Sequence, residues 1–161
     1  MTTLLALDIG GTKVGWGIVE AGDTYEVTER GSIPTDAMRG GADVAARICD
    51  LASSLVASHP AVSGVAVASA GVVDPSTGDI VSATGTMPGW GGTPLGTLLQ
   101  EATGLKVRVL NDVHAHGLGE ATLGAGQPYR SVLSIAVGTG IGGALVEDRQ
   151  VSFGSRGIAG H

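Results

Sequence analysis

The sequence predicts an α/β protein in which a mixed β-sheet carries helices on its faces. Apolar runs typical of strands recur along the chain, and three segments with helical spacing lie between them. A further observation is glycine, which supplies 28 of the 161 residues, against a usual share of about 7%. The glycines punctuate the apolar runs instead of forming one linker, so tight turns are expected throughout.

Six segments of the first half have the composition of regular structure. The first two are apolar and are joined by a Gly-Gly-Thr turn, a pattern that favours a hairpin. The fourth places Val44 and Ile48 at helical spacing and stops before Pro60. In chain order the segments are strands over 4–10, 14–21 and 24–35, a helix over 41–58, and strands over 62–74 and 78–84.

The second half predicts two helices, a strand and a closing hairpin. Pro94 near the start and Gly104 near the end bracket the first helix. The strand ends in Asn111 and Asp112, directly before a helix that glycines interrupt. The last segment repeats the opening design of two apolar strands around a glycine turn. The segments are a helix over 94–104, a strand over 106–112, a helix over 113–126 and a hairpin over 131–151.

Charge, cysteine content and the N-terminal pattern exclude several classes of protein. The net charge is −6 and the nine lysines and arginines are scattered singly, so neither a nucleic-acid partner nor a membrane surface is expected. Cys49 is the only cysteine, which excludes an internal disulfide and fits a reducing compartment. No basic stretch precedes a long apolar run, so no signal peptide or membrane span is predicted. We therefore expect a cytoplasmic protein.

Two glycine turns predict phosphate binding. The segments "DIGGTK" (8–13) and "VGTGIGG" (137–143) each place glycine and threonine at the tip of a strand pair. Glycine lets backbone N–H groups come close to phosphate oxygens, and threonine adds a hydroxyl. Neither turn matches the Walker pattern or leads into a helix, so a P-loop and a dinucleotide-binding fingerprint are excluded. One such turn has an ordinary structural explanation, whereas two in one chain indicate a nucleotide site.

Asp8 lies within an apolar strand, just before the first of these turns. A carboxylate there can accept hydrogen bonds from its own turn. It can also hold Mg²⁺ through water, because that ion keeps several waters and favours carboxylates and phosphates. We favour the second interpretation and expect Asp8 to be buried near the sheet edge, facing a phosphate-bound metal.

Asn111 and Asp112 lie where a strand ends and a helix begins. An ordinary helix N-cap explains them, since both residue types are preferred there. In a chain with two phosphate turns, Asp112 is also a candidate general base that takes the proton from an attacking hydroxyl. Phosphoryl transfer otherwise asks little of a protein beyond positioning and neutralising charge.

Three other side chains allow more than one interpretation. His114 and His116 are two residues apart on a predicted helix and point in different directions. We therefore interpret them as surface or packing residues and not as metal ligands. Trp90 in "PGW" is either a ring that stacks on a sugar or a buried anchor of its loop.

Six segments together form a specific pattern: "LALDIGGTK", "SAGVVD", "PGWGGTPL", "VLNDVHAHGLGEATLGAG", "IAVGTGIGGALV" and "GSRGIAGH". Their order and approximate spacing resemble the ROK family of sugar kinases and sugar-responsive repressors, within the actin-like ATPase superfamily. The resemblance implies a ribonuclease H-like lobe with a mixed five-stranded sheet and flanking helices. The opening β-hairpin of a second lobe follows it. We place the first lobe at residues 1–118 and the start of the second, truncated, at 119–161.

The resemblance implies an ATP-dependent sugar kinase and assigns roles to residues of this chain. Asp112 is the catalytic base, and Asp8 lies near Mg²⁺, which it holds through water. The sugar is phosphorylated at its 6-hydroxyl, and no nucleic acid takes part. Residues assigned to ATP are Asp8, Gly10, Gly11, Thr12 and Lys13 in the first turn and Gly138, Thr139 and Gly140 in the second. Residues assigned to the sugar are Ser69, Ala70, Gly71, Asn111, Asp112 and His161.

Two departures from the family pattern bear on the identity of the sugar. His161 stands where the family usually has a glutamate that helps to hold the sugar. This histidine and the small loop 68–71 resemble the N-acetylmannosamine kinase branch. The asparagine that usually precedes "PGW" is replaced within the stretch "TGTM" (84–87). N-acetylmannosamine is therefore the first expectation and glucose, the substrate of a glucokinase, the second.

The third departure is length, because a complete member of the family is about twice as long as this chain. The resemblance places a structural zinc motif, the adenosine-binding part and most of the dimer interface in the other half. We therefore expect the full-length parent to be a homodimer. These 161 residues alone are expected to turn over little or nothing.

Two other classes of protein remain as alternatives. The first is the sugar-sensing domain of a ROK-type transcriptional regulator. Such regulators carry a helix-turn-helix segment ahead of the first motif, whereas seven residues precede Asp8 here. The second is a different actin-like ATPase, such as a chaperone or filament protein, which the "LND" and "PGW" segments disfavour.

Overall fold

A computed structural model of the chain describes residues 1–137, 141–155 and 159–160. The strands of this part are β1 (Thr2–Ile9), β2 (Lys13–Ala21), β3 (Tyr25–Pro34), β4 (Val62–Ser69), β5 (Val72–Val73), β6 (Ile80–Ser82), β7 (Lys106–Asn111), β8 (Ser131–Val137), β9 (Ile141–Glu147) and β10 (Gln150–Val151). The α-helices are α1 (Gly41–Ser58), α2 (Leu95–Thr103) and α3 (Asp112–Leu123), and a 3₁₀-helix spans Ala37–Arg39.

The main sheet is mixed and has five strands in the order β3-β2-β1-β4-β7, which confirms the predicted sheet. β1 is antiparallel to β2 and parallel to β4, and β4 is parallel to β7. The pairing places Ile9 beside Ser69 and Ser69 beside Asn111, so the three parallel strands end in register. Their carboxyl ends form a single edge of the sheet, which is where open α/β sheets bind their ligands.

The hydrophobic core lies between one face of the main sheet and helices α1 and α2. Side chains alternate along β1, so that Leu5, Leu7 and Ile9 are buried in this core while Asp8 lies on the other face. The same alternation buries Val65 in β4. The helical residues that complete the core are Val44, Ala45, Ile48, Ala52 and Leu55 of α1 and Leu95 and Leu99 of α2. Each aliphatic side chain of the size of valine or leucine contributes about 1.5–3 kcal/mol on full burial, so this layer holds the lobe together.

A second, three-stranded sheet follows α3 in the order β10-β9-β8. Helix α3 packs on β8 and β9 and also contacts β4 and β7, so it joins the two sheets. The approach is close, because a Cβ at Gly117 would lie 2.6 Å from the Cβ of Ala144. Packing therefore requires glycine at this position. The predicted lobe boundary between residues 118 and 119 falls within α3 and stays a prediction.

The structure differs from the predicted elements in several places, and the closing hairpin gains a short third strand, β10. The predicted strand over 62–74 is two strands, because the chain turns at Gly71 with φ 94°, a conformation that other residues rarely adopt. Helix α3 begins at Asp112 and ends at Leu123 instead of residue 126. The 3₁₀-helix has no counterpart among the predicted elements. None of the helices in the described ranges combines the length and hydropathy that crossing a bilayer requires.

The end of α1 carries a pH-dependent contact with β3. His59 Nδ1 lies 2.8 Å from Leu55 O, and His59 Nε2 lies 2.9 Å from Glu29 Oε2. The hydrogen bond to Glu29, and after it the bond to Leu55, raise the pKa of His59 above its ordinary value of 6.5. Both bonds need a donor, and only the protonated ring has two. The contact therefore stabilises the fold below the ordinary pKa and loses its contribution as pH rises through the raised pKa.

Replacing Glu29 tests this contact. We expect Glu29→Gln to lower the urea midpoint more at about pH 5.5 than at about pH 8.5, since the pair is charged only while His59 is protonated. Glu26→Gln changes another exposed carboxylate of the same strand and should show no such pH dependence. If Glu29→Gln lowered the urea midpoint equally at the two pH values, the pH-dependent role of this contact would be contradicted.

Candidate active site

The carboxyl ends of β1, β4 and β7 bring several of the predicted site residues to one edge of the sheet. Asp8 is one residue before the end of β1, Ser69 closes β4, and Asn111 closes β7 directly before Asp112. The in-register pairing places these positions along one edge of the sheet. The first glycine turn, the small-residue loop and the Asn-Asp pair therefore lie along the same edge of the sheet.

The first glycine turn connects β1 to β2 and is open to solvent. Gly10 N donates to Lys13 O at 3.0 Å and closes the turn, while Gly11 and Thr12 are exposed. Neither glycine has a positive φ, and a Cβ would meet its nearest neighbour at 3.4 Å on Gly10 and 3.8 Å on Gly11. These are ordinary contact distances, so neither the backbone nor the packing of the chain requires glycine here. The two glycines instead leave space beside the backbone, as a phosphate-binding turn needs.

Asp8 is exposed, so the expectation that it is buried is wrong. The alternation of β1 puts Leu7 and Ile9 into the core, which leaves Asp8 on the face of the sheet that α1 and α2 do not cover. Its position at the carboxyl end of the strand agrees with the prediction. Because Mg²⁺ keeps several of its waters, an exposed carboxylate beside this glycine turn fits the ion.

Asn111 caps α3 and holds the residue that follows it. Its Oδ1 accepts hydrogen bonds from Val113 N at 2.9 Å and His114 N at 3.2 Å, which confirms the N-cap. Its Nδ2 donates to Gly71 O and to Asp112 Oδ1, both at 2.9 Å. The carboxamide is buried and uses its donors and its acceptor within the protein. Its observed role is therefore to position the neighbouring carboxylate and loop.

Asp112 is exposed at the first turn of α3. Its Oδ1 accepts hydrogen bonds from Asn111 Nδ2 and from Val113 N, each at 2.9 Å. Within the described part of the chain, no donor lies within hydrogen-bond distance of its Oδ2. One oxygen is thus anchored while the other is open to a ligand, which is the geometry of a general base.

The loop from Ser69 to Gly71 is fixed from two sides. Trp90 is fully buried and donates from Nε1 to Ser69 Oγ at 3.2 Å and to Ala70 O at 3.3 Å. Asn111 Nδ2 holds Gly71 O from the other side. Ser69 is itself fully buried beneath the loop, whereas Ala70 and Gly71 are half-buried. Trp90 is therefore an anchor of the loop and not a stacking ring.

A cavity of about 600 Å³ lies between the two sheets at this edge. Asp112, Asn111, Ala70 and Gly71 line the side formed by the main sheet. The volume is within the range of sites for small molecules, and among the described lining residues Asp112 carries the one charged group. The other lining residues are Val72, Ser82, Ala83, Thr84, Val113, Ala136, Ile141, Gly142 and Gly160.

Two stretches of this lining were not among the predicted site residues. Residues 82–84 begin with the last residue of β6, and Thr84 begins the "TGTM" stretch, so the departure from the family motif was the signal available for it. Thr84 Oγ1 lies 2.7 Å from Thr86 Oγ1, and both threonines are exposed. Ala136 and Gly142 come from the second sheet, where they flank the second glycine turn, and neither was among the residues assigned to a ligand. Only the packing of the two sheets through α3 brings them to the cavity.

Four of the predicted site residues lie outside the described part of the chain. They are Gly138, Thr139 and Gly140 of the second glycine turn, and His161. Their assignment to nucleotide and sugar therefore stays a prediction.

The two histidines of α3 have the places expected for packing and surface residues. His114 is buried, its Nε2 lies 2.7 Å from Ala159 O, and its ring meets that of Phe153 edge-on at 5.5 Å. His116 is exposed. Over the ranges that the structure describes, no three side chains of His, Cys, Asp or Glu are grouped closely enough to hold a metal ion.

Replacing Trp90 tests its anchoring role. We expect Trp90→Phe to lower the free energy of unfolding by about 2 kcal/mol, because it removes a buried donor with two acceptors and leaves space in the core. Urea unfolding measures the loss. The control is Trp16→Phe, at the other tryptophan of the chain, which is half-buried and should lose less than about 1 kcal/mol. If the two variants lowered the free energy of unfolding by similar amounts, the anchoring role of Trp90 would be ruled out.

Comparison with known proteins gives consistent matches over nearly the whole chain. The model of the ROK family matches residues 4–161. A curated glucokinase of Halalkalibacterium halodurans is 31% identical, over 97% of this chain and 47% of its own length. The structure of Lmo2764 from Listeria monocytogenes, a candidate N-acetylmannosamine kinase, has a TM-score of 0.82 at 31% identity, over 99% of this chain and 52% of its own.

Two further structures bear on nucleotide binding and on regulation. A ROK family glucokinase from Streptomyces griseus, solved with glucose and AMPPNP, has a TM-score of 0.83 at 28% identity, over 98% of this chain and 48% of its own. A ROK family transcriptional regulator, a homologue of the E. coli MLC protein, has a TM-score of 0.83 at 25% identity, over 94% of this chain and 38% of its own. The predicted actin-like ATPase lobe is confirmed, and the chain spans about half the length of the curated relatives it matches.

Proposed function

Because this chain belongs to the ROK family, we propose that it carries the sugar-binding and catalytic part of an ATP-dependent sugar kinase. The observation that supports this most strongly is Asp112, which has one oxygen anchored and the other open, on the wall of a cavity of about 600 Å³. The similarity to glucokinases, one of them solved with glucose and AMPPNP, supports the same class of reaction. A kinase that draws on ATP is proposed to work in the cytoplasm.

In this proposal a hexose or N-acetylhexosamine occupies the cavity with its 6-hydroxyl beside Asp112 Oδ2. The carboxylate accepts the hydroxyl proton while the sugar oxygen forms its bond to the terminal phosphorus of ATP and the bond from phosphorus to ADP breaks. Asn111 Nδ2 holds Oδ1 at 2.9 Å, which keeps Oδ2 directed at the substrate. Ala70 and Gly71 border the sugar ring.

The phosphates of the nucleotide are assigned to the two glycine turns. The first turn exposes the backbone at Gly11 and Thr12 and the ammonium group of Lys13, which offer donors and positive charge to phosphate oxygens. Asp8, at the end of the preceding strand, is the proposed ligand of Mg²⁺ through water. When bound, Mg²⁺ supplies neutralisation of the phosphate charge. The second turn, residues 138–140, is proposed to face the transferred group.

We propose that activity needs a polypeptide as long as the relatives. The face of the β8–β9 hairpin that α3 leaves uncovered exposes five aliphatic side chains by 40% to 78%. An apolar face of this kind marks a surface that another segment covers. That segment is proposed to supply the adenosine site, the structural zinc and most of a homodimer interface, so the 161 residues alone should show no turnover. The exposed side chains are Leu133, Ile135, Val137, Ile141 and Leu145.

N-acetylmannosamine is the first proposed substrate and glucose the second. Two similarities at the same identity of 31% support different sugars, since Lmo2764 is a candidate N-acetylmannosamine kinase and the Halalkalibacterium protein is a glucokinase. The small loop 68–71 and the histidine at position 161 favour the first through the family resemblance. Comparing kcat/KM for the two sugars in one assay ranks them.

A coupled assay of ADP release by the full-length parent tests the kinase. N-acetylmannosamine, N-acetylglucosamine and glucose are offered separately. We expect sugar-dependent turnover to fall about 10²- to 10⁴-fold in Asp112→Asn, because the amide cannot accept the proton. Asp50→Asn makes the same change at an exposed carboxylate of α1 and should keep the wild-type rate.

The competing proposal is a sugar-sensing regulatory domain, which the similarity to a ROK family transcriptional regulator supports. A sensor binds its sugar, measured by calorimetry, without releasing ADP. If the wild type shows no turnover with any of the three sugars while sugar binding survives Asp112→Asn, the kinase proposal fails and the sensor stands.

A further inference from the structure

We propose that Thr35 is a positioning residue for the first glycine turn and that Arg47 holds Thr35 in place. Thr35 follows β3 and is 1% exposed, so a polar side chain lies inside the lobe. A buried hydroxyl is unfavourable unless it is hydrogen-bonded. Both donors of Thr35, its hydroxyl and its N–H, go to the turn between β1 and β2. The inference rests on the proposed function of that turn, which is to bind nucleotide phosphates.

The two hydrogen bonds fix carbonyl groups of the turn. Thr35 Oγ1 donates to Gly10 O at 2.6 Å, and Thr35 N donates to Thr12 O at 3.0 Å. Because Thr35 is buried, the two carbonyls that it binds are directed into the lobe. A carbonyl oxygen carries partial negative charge and would repel a phosphate if it were directed outward. Thr35 therefore removes two unfavourable dipoles from the surface of the turn.

The consequence for a ligand lies in the neighbouring N–H groups. A trans peptide is planar, so the N–H of Gly11 points away from the Gly10 carbonyl that Thr35 holds. In the part of the chain that the structure describes, no acceptor binds the N–H of Gly11 or of Thr12. A turn with its carbonyls held inward and its N–H groups open binds anions. Gly10 and Gly11 supply the space, and Thr35 supplies the orientation.

Arg47 of α1 fixes the segment that carries Thr35. Its Nη1 donates to Thr35 O at 2.8 Å and its Nη2 donates to Pro34 O at 2.7 Å. The planar guanidinium thus binds two successive carbonyls through two different nitrogens, a fixed fork that the single nitrogen of a lysine does not provide. Oδ2 of Asp36 lies 3.5 Å from Nη2 of Arg47, and Oδ2 of Asp43 lies 4.0 Å from Nη1. These two carboxylates balance the charge of the guanidinium. Since α1 forms part of the core, this contact ties the glycine turn to the rigid part of the lobe.

Thr35→Val tests the hydroxyl, because valine keeps the branched shape and removes the donor. We expect the Kd of the full-length parent for AMPPNP with Mg²⁺, measured by calorimetry, to rise about tenfold while the Kd for the sugar is unchanged. Thr35→Ser keeps a hydroxyl and should stay within about twofold of the wild type. Without nucleotide, hydrogen exchange over residues 8–16 should increase in Thr35→Val and not in Thr35→Ser. Arg47→Lys should raise the nucleotide Kd about threefold.

Thr103→Val is the matched control. Thr103 Oγ1 donates to Leu99 O at 2.7 Å near the end of α2, so this variant loses a similar bond away from the turn. If lower stability alone weakened nucleotide binding, the two variants would weaken it to the same extent whenever their melting temperatures fall by the same amount. The positioning role requires that only Thr35→Val does so.

The possible results separate this role from the proposed function. If Thr35→Val binds AMPPNP as tightly as the wild type does, the positioning role is overturned, whatever the hydrogen exchange, while the kinase proposal is untouched. A similar loss of binding in Thr103→Val overturns the role as well. If the wild type binds no AMPPNP, the nucleotide-binding function of the turn and the role of Thr35 in it both fail.

Discussion

β1, β4 and β7 run side by side and end in register, with Ile9, Ser69 and Asn111 at the same level. The site depends on this alignment, because three separate segments of the chain contribute to it. A slip of one residue in any strand would turn its side chains to the other face of the sheet. Asp8 would then enter the core. The burial of aliphatic residues on one face therefore also sets which carboxylates reach the site.

Buried polar groups fix the loops that follow the aligned strands. Asn111 connects the start of α3, the carboxylate of Asp112 and the carbonyl of Gly71 through one carboxamide. Trp90 holds the same loop from below, and Thr35 holds the glycine turn. An unsatisfied polar group in the interior is costly, so each network has one favourable arrangement. The surface groups of the candidate site can stay exposed because buried neighbours orient them.

The many glycines serve two purposes that composition does not distinguish. A Cβ at Gly41 would overlap the carbonyl of Gly89, and one at Gly117 would press on Ala144, so packing requires glycine there. Gly10 and Gly11 have ordinary surroundings and no positive φ, so nothing within the described chain requires them. The motif "DIGGTK" was selected from the sequence as a phosphate-binding turn, but the contrast with the packing glycines is visible only in three dimensions.

Local pattern alone predicted most of the elements and the positions of several candidate site residues. The span of α1, the opening hairpin and the junction at Asn111 and Asp112 followed from spacing, turn residues and helix caps, all of which act over a few neighbouring residues. The exposure of Asp8, the burial of Trp90 and the cavity wall from the second sheet did not follow. They depend on which face of a strand meets a helix and on how α3 joins two sheets. Contacts between residues distant in sequence decide both, because burial is a property of the packed chain and not of a segment.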